Sequence, residues 1–407
     1  MQFVLSIANG LLVVAGLVLL APVGVLLSQM MAAGRASAAG EGDEGVSDDA
    51  TTPRPHIAVL MPAHNESAGI GKSIAAVLKQ LAPGDRLLVV ADNCTDDTAA
   101  VAAAAGAQVA QRTDSERRGK GYALDFGVRR LEADPPDVVI VVDADCEVHD
   151  DALVRLARTC LQRIRPAQAL YLMRSPPGAG LKTRIAEFAW AIKNHARALG
   201  NQRMGLPCQL MGSGMAFTWR QISEAPLASG HIVEDLQLGL DLAAKGQAPY
   251  FCPQALVTST FPSSEEGLAA QRTRWEHGYL EVMFTHGPRL VREALAQRSL
   301  ARIFSALDLC VPPIASLVLV QVVFVVATGV FLLLGHRSFP LMLALLAVTL
   351  TGVALGLGWS RFGRNIVSLA ELLSVPGYML GKVPMYMRAL RRRQTEWVRT
   401  RRDDGSN

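Results

Sequence analysis

Long apolar stretches lie at both ends of this 407-residue chain. Residues 3–27 carry almost only apolar side chains, interrupted by Ser6, Asn9, Pro22 and glycines. About 20 apolar residues suffice to span a bilayer, so this stretch predicts a transmembrane helix. A cleaved signal peptide is the alternative, but such peptides begin with basic residues, and no Lys or Arg precedes the run. We therefore expect a retained membrane anchor.

Two further apolar stretches lie near the C-terminus. Residues 311–335 and 339–359 are each long enough to cross a bilayer, and a short turn that contains Arg337 joins them. This spacing predicts a transmembrane hairpin. Residues 366–387 are also apolar, but charged residues and prolines interrupt them. Such a pattern favours a helix that lies at the membrane interface.

The region from 56 to about 250 alternates between two patterns. Short runs rich in Val, Ile or Leu are each followed by a helix-like, often Ala-rich stretch. Strands buried on both faces have this composition, so we predict a parallel sheet with crossover helices. The predicted strands are 57–61, 87–91 and 137–142, and the predicted helices are 67–80, 96–105 and 150–164.

The whole pattern predicts an α/β domain attached to three membrane helices. The expected segments are a transmembrane helix (1–30), a flexible linker (31–55), a cytoplasmic domain (56–300), a transmembrane hairpin (305–360), and an interfacial helix with a basic tail (361–407).

Composition and charge refine this picture. Half of the residues are hydrophobic and 19% are charged, and the apolar excess lies at the two ends. The net charge of +4 is too small to indicate nucleic-acid binding. The six cysteines include no Cys-x-x-Cys pair, which argues against a zinc site or a disulfide framework. Reduced thiols in a cytosolic domain fit best.

The distribution of basic residues predicts the orientation in the membrane. Arginines flank both ends of the hairpin and crowd the C-terminus, while the hairpin turn carries one. By the positive-inside rule, the N-terminus should face outward and the central domain the cytoplasm. We expect a multi-pass protein of the inner (plasma) membrane. The C-terminal cluster consists of Arg388, Arg391, Arg392, Arg393, Arg399, Arg401 and Arg402.

Candidate chemistry begins with Asp143-Ala144-Asp145, directly after an apolar run. As a strand ends, two carboxylates at positions i and i+2 can face one site. Mg²⁺ and Mn²⁺ prefer such hard oxygen ligands and often bind substrate phosphates as well. A solvated turn is the alternative for this motif taken alone.

Three further motifs each permit two interpretations. Glu234-Asp235 opens an amphipathic run and is either helix N-terminal charge or a general base. Lys120 lies between two glycines before a helix-like stretch, either as a phosphate contact or in a basic loop. Gln271, Arg274 and Trp275 share one helix face, where Arg274 can hold a diphosphate or form an exposed cation–π pair.

The order of these motifs resembles that of family 2 inverting glycosyltransferases, and within them the membrane-bound branch of cellulose, hyaluronan and poly-N-acetylglucosamine synthases. The resemblance runs from about residue 57 to residue 285. It rests on Met61-Pro62-Ala63-His64-Asn65-Glu66, Ala91-Asp92-Asn93-Cys94-Thr95-Asp96-Asp97-Thr98, Gly119-Lys120-Gly121, Asp143-Ala144-Asp145, Glu234-Asp235 and Gln271-x-x-Arg274-Trp275.

The resemblance implies a glycosyltransferase A-type sheet, a nucleotide diphosphate-sugar donor, with UDP as the expected nucleotide, and Mg²⁺ or Mn²⁺. By motif, it implies that Asn65, Glu66 and Asp92 contact the nucleoside and that Lys120 contacts phosphate. Asp143 and Asp145 would contact donor and metal, Asp145 being the firmer ligand. Asp235 would be the general base, with Glu234 beside it, and Gln271, Arg274 and Trp275 would hold the diphosphate and the acceptor end.

Two departures from the family narrow the expected function. The usual Asp-Asp after the second strand is Ala91-Asp92 here, so base recognition can differ. Synthases that secrete their polymer carry more membrane helices than three, which favours transfer to a lipid-linked or glycan acceptor in exopolysaccharide, cell-surface glycan or glycolipid synthesis. A processive β-glycan synthase with an export partner is one alternative. An inactive membrane scaffold is another, although the intact motifs argue against it.

Overall fold

The computed structural model describes residues 2–34 and 53–380 of the chain. These residues form two compact units. The first, here called the sheet unit, contains residues 53–198 and 207–278. The second, here called the helical unit, contains residues 2–34, 199–206 and 279–380.

The bounds of the regular elements are as follows. The strands are β1 (Ile57–Ala63), β2 (Arg86–Asp92), β3 (Gln108–Arg112), β4 (Val138–Val141), β5 (Glu147–Val148), β6 (Ala167–Arg174), β7 (Met215–Thr218) and β8 (Tyr250–Thr260). The helices are α1 (Gln2–Gly34), α2 (Ile70–Leu78), α3 (Thr98–Ala104), α4 (Lys120–Leu131), α5 (Ala152–Arg163), α6 (Leu181–Ala191), α7 (Ala198–Arg203), α8 (Trp219–Ser223), α9 (Glu234–Ala244), α10 (Glu265–Ala296), α11 (Leu300–Leu309), α12 (Ile314–Leu333), α13 (Phe339–Gly358) and α14 (Leu369–Leu380). Two π-helical segments, Ile192–Arg197 and Trp359–Gly363, follow α6 and α13.

The sheet unit contains one mixed eight-stranded sheet, in the order β3-β2-β1-β4-β7-β6-β8-β5. The first four strands of this order pair in parallel, which confirms the prediction from the alternating pattern. The sheet as a whole is mixed, because β7 runs antiparallel to β4 and β6, and β5 runs antiparallel to β8. The apolar runs predicted β1, β2 and β4, whereas β3, β5, β6, β7 and β8 were not predicted.

Burial on both faces explains the apolar strands. All four residues of β4 are buried, and β1 and β2 are buried along nearly their whole length. The crossover helices cover the sheet with one apolar face each. In α2, for example, Ile70, Ile74 and Val77 are buried, at the i, i+4, i+7 spacing of an amphipathic helix.

The parallel strands place the polar motifs together. β1, β2 and β4 end at Ala63, Asp92 and Val141. The predicted site residues of these motifs lie at these strand ends or in the loops that follow them. In open α/β sheets, ligands bind at the carboxyl ends of the strands. The functional site is therefore expected at this edge of the sheet.

The helical unit contains three helices that are long and apolar enough to cross a membrane: Leu5–Gly34, Ile314–Leu333 and Phe339–Gly363. Gly16 packs on Leu343, and Gly34 packs on the Arg361 guanidinium. Gly16 precedes Gly34 in α1, and their partners follow in the same order, Leu343 in α13 and Arg361 in the π-helical segment after it. α1 and α13 therefore run parallel. Between α12 and α13, Gln321 donates to Thr351 at 2.7 Å.

The predicted segment ends differ in part from the structure. α1 continues beyond residue 30 to Gly34, because Ala32 and Ala33 are buried by packing in the helical unit. α14 covers the first part of the predicted interfacial helix. Most of the predicted linker and all of the C-terminal arginine cluster lie outside the described residues.

Candidate active site

A pocket of about 610 Å³ opens at the carboxyl ends of β1, β2 and β4 in the sheet unit. Most of the residues predicted from the motifs line it, although they come from five separate segments of the chain. These lining residues are Asn65, Glu66, Asp92, Lys120, Asp143, Asp145, Gln271 and Arg274. The pocket therefore unites five of the six motifs, while Glu234 and Asp235 are not among its lining residues.

The loops after β1 and β2 are joined by hydrogen bonds at one end of the pocket. Asn65 adopts a positive φ of 54°, and its side-chain oxygen accepts from the Thr95 backbone N–H at 2.7 Å. The Glu66 backbone N–H donates to the Thr98 hydroxyl at 2.8 Å. These contacts fix the loop that presents Asn65 and Glu66 to the pocket.

Asp92 at the end of β2 is held by residues that sequence reasoning missed. Arg112, its register partner on β3, forms an ion pair with Asp92 Oδ1 at 2.6 Å. The Asn93 amide also donates to Oδ1, at 3.1 Å. One carboxylate oxygen of Asp92 thus already accepts two hydrogen bonds, while the residue lines the pocket. The arginine opposite Asp92 follows only from the strand register, which the sequence pattern does not specify.

Lys120 opens α4 and points toward the acidic residues of the site. Its ammonium group lies 2.5 Å from Asp143 Oδ1 and 3.6 Å from Glu234 Oε1, and it donates to the Gly212 carbonyl at 2.8 Å. The glycine that follows it is required by space: a Cβ at Gly121 would lie 2.5 Å from the Leu227 carbonyl oxygen. The Gly-Lys-Gly motif therefore brings a helix N-terminus and a cation to the pocket.

The surrounding charges shift the ionisation of this cluster. Burial would lower the pKa of Lys120, but the negative charges of Asp143, Glu234 and Asp235 outweigh it and raise that pKa. Burial also raises the pKa of Asp143, against the lowering effect of Lys120. For Glu234, burial raises the pKa to about 7, again opposed by Lys120. Lys120 is therefore a firmly protonated cation, and its positive charge offsets the negative charge of the surrounding carboxylates.

Asp235 lies on the first turn of α9, beside the loop that contains Gly212. The position where a side chain would begin at Gly212 is 3.4 Å from Asp235 Oδ2, 3.7 Å from the Lys120 ammonium and 3.9 Å from Asp143 Oδ2. Gly212 has a φ of +92°, which favours glycine. The three charged groups therefore converge on one point beside Gly212.

The loop of residues 211–214, here called the glycine loop, was missed in the sequence. Buried Gln168 holds it by donating to the Ser213 carbonyl at 2.9 Å and accepting from the Met211 N–H at 2.8 Å. The Ser213 hydroxyl in turn accepts from the Asp143 backbone N–H at 3.1 Å. The Gly-Ser-Gly sequence before β7 was the available signal.

Asp143 and Asp145 form the acidic end of the pocket. Ligand atoms of Asp143, Asp145 and Cys146 lie within 4.8 Å of one another. Burial raises the pKa of the Cys146 thiol well above its usual value, so this thiol stays neutral. The donors that remain are carboxylate oxygens, which fit Mg²⁺ or Mn²⁺.

The three residues of the helical motif have different surroundings. Gln271 and Arg274 line the pocket from α10, and the buried Gln271 Oε1 has no hydrogen-bond partner among the described residues. Trp275 is absent from the pocket lining and packs on Trp190, with ring centroids 4.9 Å apart. Trp190 is held by its indole N–H, which donates to the Tyr171 carbonyl at 3.0 Å.

Comparison with known families identifies the sheet unit. The family model described as glycosyltransferase like family 2 matches residues 53–278, more than half of the chain. The chain belongs to glycosyltransferase family 2. It is thus a glycosyltransferase that uses nucleotide sugars, as the motifs predicted. Membership of the cellulose and hyaluronan synthase branch stays a prediction.

Named relatives agree with this family. An uncharacterised glycosyltransferase of Mycobacterium tuberculosis is 31% identical over 192 residues, which cover 41% of this chain and 82% of that protein. The beta-monoglucosyldiacylglycerol synthase of Synechocystis is 29% identical over 256 residues, which cover 57% of this chain and 49% of that enzyme. This chain therefore matches about half the length of the Synechocystis enzyme.

A solved structure supports the fold. A mannosyltransferase from Pyrobaculum calidifontis, determined in complex with GDP-Man and Mn²⁺, matches with a TM-score of 0.51 at 17% identity. The match covers 93% of this chain and 95% of that chain. The fold is of the glycosyltransferase A type with one N-terminal and two C-terminal apolar helices, which confirms the predicted fold class.

Proposed function

We propose that this protein is an inverting glycosyltransferase that moves a sugar from a UDP-sugar to a lipid-linked acceptor at the membrane. The proposal rests on the convergence of Lys120, Asp143 and Asp235 beside Gly212. One cation, one candidate metal ligand and one candidate base thus meet there, and two of them, Lys120 and Asp143, also line the polar pocket. An inverting transfer needs these three groups and no enzyme nucleophile.

The state of Asp92 supports UDP as the nucleotide. Its Oδ1 already accepts from Arg112 and Asn93, which leaves the second oxygen to accept from a base. Uracil offers one N–H on its pairing edge, whereas guanine offers two adjacent donors that suit a carboxylate with both oxygens available. We assign a nucleoside contact to Asp92 on this basis, and to Asn65 and Glu66 from their matching motif and their place in the same pocket.

The reaction we propose is a single displacement at the anomeric carbon. Asp235 accepts the proton of an acceptor hydroxyl, whose oxygen forms the new bond to the anomeric carbon as the bond to the diphosphate oxygen breaks. Negative charge grows on the departing nucleoside diphosphate. Lys120, Arg274 and the N-terminus of α4 are placed to stabilise that charge.

Asp145 and Asp143 are the residues that would hold a divalent cation. When bound, Mg²⁺ or Mn²⁺ neutralises diphosphate charge and acts as a Lewis acid. The mannosyltransferase of the same fold was determined with Mn²⁺, which supports this assignment. Gln271 would contribute its unpaired buried oxygen to donor or acceptor binding, and Trp275 would border the acceptor end.

The apolar helices support an acceptor in the membrane. Three of the described helices are long and apolar enough to span a bilayer, and one relative is named for synthesis of a glycosylated diacylglycerol. We propose that the sheet unit faces the cytoplasm of the inner membrane. In the helical unit, Arg203 donates to the Ala33 carbonyl at the C-terminal end of α1, and Arg361 lies beside Gly34. Cations at this end are expected on the cytoplasmic side.

A donor screen tests the proposed function. The purified protein in nanodiscs is supplied with UDP- and GDP-sugars and a membrane lipid extract, and nucleoside diphosphate release and products are measured. We expect release from a UDP-sugar and a lipid that gains one sugar by mass. A long polymer would indicate a processive synthase instead, and no release with any donor would favour an inactive scaffold.

Orientation is tested separately. A reporter fused after Asn407 should report cytoplasm, and a tag at Met1 should be accessible from outside the cell. Loss of residues 1–30 from the mature protein would contradict a retained anchor.

A further inference from the structure

Ser259, a residue outside every motif discussed for this family, contacts the carboxylate of Asp145. Its hydroxyl donates to Asp145 Oδ2 at 2.8 Å, and the side chain is buried. The two residues are far apart in sequence, Asp145 after β4 and Ser259 near the end of β8. Their contact therefore depends on the folded sheet.

The pairing of β5 with β8 creates this contact. Directly after Asp145 the chain forms β5, in which Glu147 pairs with Thr258 and Val148 pairs with Val257. The turn before it is closed by a hydrogen bond from the Cys146 N–H to the Asp143 carbonyl at 3.0 Å. The turn before β5 and the pairing of β5 with β8 thereby fix the backbone around Asp145, and Ser259 follows Thr258 directly in β8.

The other oxygen of Asp145 faces a weaker donor. The Cys146 thiol lies 3.7 Å from Asp145 Oδ1, and buried Tyr171 lies beside this thiol. A thiol is a weak donor, so the Ser259 hydroxyl is the stronger of these two contacts. Replacing Ser259 with alanine therefore removes the stronger of these two contacts to Asp145.

We propose that Ser259 is a positioning residue for the metal site, since it holds Asp145 in the orientation that binds the divalent cation. The inference rests on the proposed role of Asp145 as a metal ligand. Groups that hydrogen-bond a ligating carboxylate commonly change metal affinity by about 10–100-fold when removed. Among the described residues, Ser259 donates to the Asp145 carboxylate and not to Asp143 or Asp235, so its effect should fall on the metal and not on the base.

The test measures Mn²⁺ binding to the full-length protein with UDP present. The electron paramagnetic resonance signal of free Mn²⁺ reports how much of the ion is bound. Ser259→Ala removes only the hydroxyl. Thr258→Val is the matched control, because it removes the neighbouring hydroxyl of β8, which contacts His149 at 2.9 Å. We expect Ser259→Ala to weaken Mn²⁺ binding about 10-fold, and Thr258→Val to bind Mn²⁺ like the wild type.

A second measurement separates positioning from general damage. If Ser259 acts through the metal, excess Mn²⁺ should restore most of the transfer rate of Ser259→Ala, and its thermal unfolding without metal should match that of Thr258→Val. Wild-type Mn²⁺ affinity in Ser259→Ala would overturn the inference, as would equal weakening in both variants. A wild-type protein that binds no Mn²⁺ would instead overturn the metal assignment itself.

Discussion

The Lys120 ammonium lies 2.5 Å from Asp143 Oδ1, and this ion pair joins the start of α4 to the end of β4. Both side chains are partly accessible through the pocket, at 21% and 26% of their surface. Lys120 is therefore positioned by carboxylates before any donor binds. A diphosphate that enters the pocket meets a cation already held in place by Asp143 and Glu234.

Replacing this cation should weaken both donor binding and stability. In Lys120→Met, hydrogen bonds to a charged group are lost, each worth roughly 1.5–3 kcal/mol, so the Kd for UDP should rise by about 10-fold or more. Asp143 and Glu234 lose their shared cation, which should lower the unfolding free energy by about 1–3 kcal/mol. Titration calorimetry measures the Kd for UDP, and scanning calorimetry measures the unfolding free energy. Arg129→Met, at an exposed ion pair of the same helix, should change neither appreciably; equal effects in the two variants would contradict this role of Lys120.

Glu234 predicts a defined pH dependence of stability in metal-free buffer. Burial raises its pKa in the folded protein to about 7, above the ordinary value of 4.5. The folded state therefore binds a proton more tightly than the unfolded state, and this stabilisation is complete below about pH 4.5 and is lost as pH rises through about 7.

A comparison with Glu234→Gln isolates this effect, because the amide does not titrate. The wild-type protein should lose melting temperature relative to Glu234→Gln between about pH 4.5 and 7. Glu224→Gln, which alters an exposed carboxylate, should show no such divergence. Parallel pH curves for wild type and Glu234→Gln would show that Glu234 titrates normally.

Metal removal should abolish transfer. Chelation should stop nucleoside diphosphate release, and added Mg²⁺ or Mn²⁺ should restore it, because the donor diphosphate then regains its counter-charge. Asp145→Asn exchanges a carboxylate ligand for a neutral amide and should reduce both donor affinity and rate. Asp150→Asn, at an exposed carboxylate nearby in sequence, serves as the control. Undiminished transfer in excess chelator would remove the metal from the mechanism.

Three of the four parallel strands, β1, β2 and β4, were predictable because their signal is local. β1, β2 and β4 are short apolar runs between turn residues, and each carries its site residues at its own end. The strand at 137–142 and the position of Asp143 after it could therefore be predicted from adjacent residues in the chain. The membrane helices were predictable for the same reason, since length and hydropathy suffice.

The site residues that were not predicted reach the site through contacts between strands that are separate in the sequence. Arg112 meets Asp92 across the β2–β3 register, and Ser259 meets Asp145 through the β5–β8 pairing. Gln168 reaches the glycine loop from β6. Each of these contacts depends on a strand that the apolar pattern did not predict, β3 for Arg112, β6 for Gln168 and β8 for Ser259.

The position of Trp275 could not be predicted from its motif. Helical spacing placed it on one face with Gln271 and Arg274, and those two line the pocket. Trp275 packs on Trp190 instead, a residue that belongs to no motif. Its proposed place at the acceptor end therefore depends on a tertiary aromatic contact.

The central claim is that Asp235 accepts the acceptor's proton beside a bound nucleotide sugar. Asp235→Asn keeps the size of the side chain but removes its basic oxygen, and general-base catalysis typically contributes about 10²–10⁴-fold. Asp241→Asn, on the same helix and bonded to Gln237, is the matched control, and Glu234→Gln tests the neighbouring carboxylate.

The decisive measurement is the single-turnover rate of nucleoside diphosphate release with donor and acceptor present, alongside donor affinity for each variant. We predict that Asp235→Asn lowers the rate by about 10²–10⁴-fold with donor affinity nearly unchanged, that Glu234→Gln is milder, and that Asp241→Asn matches the wild type. A near-normal rate in Asp235→Asn together with a loss in Glu234→Gln would move the base by one residue. Near-normal rates in both would contradict the account and leave Glu234-Asp235 as the charged start of α9.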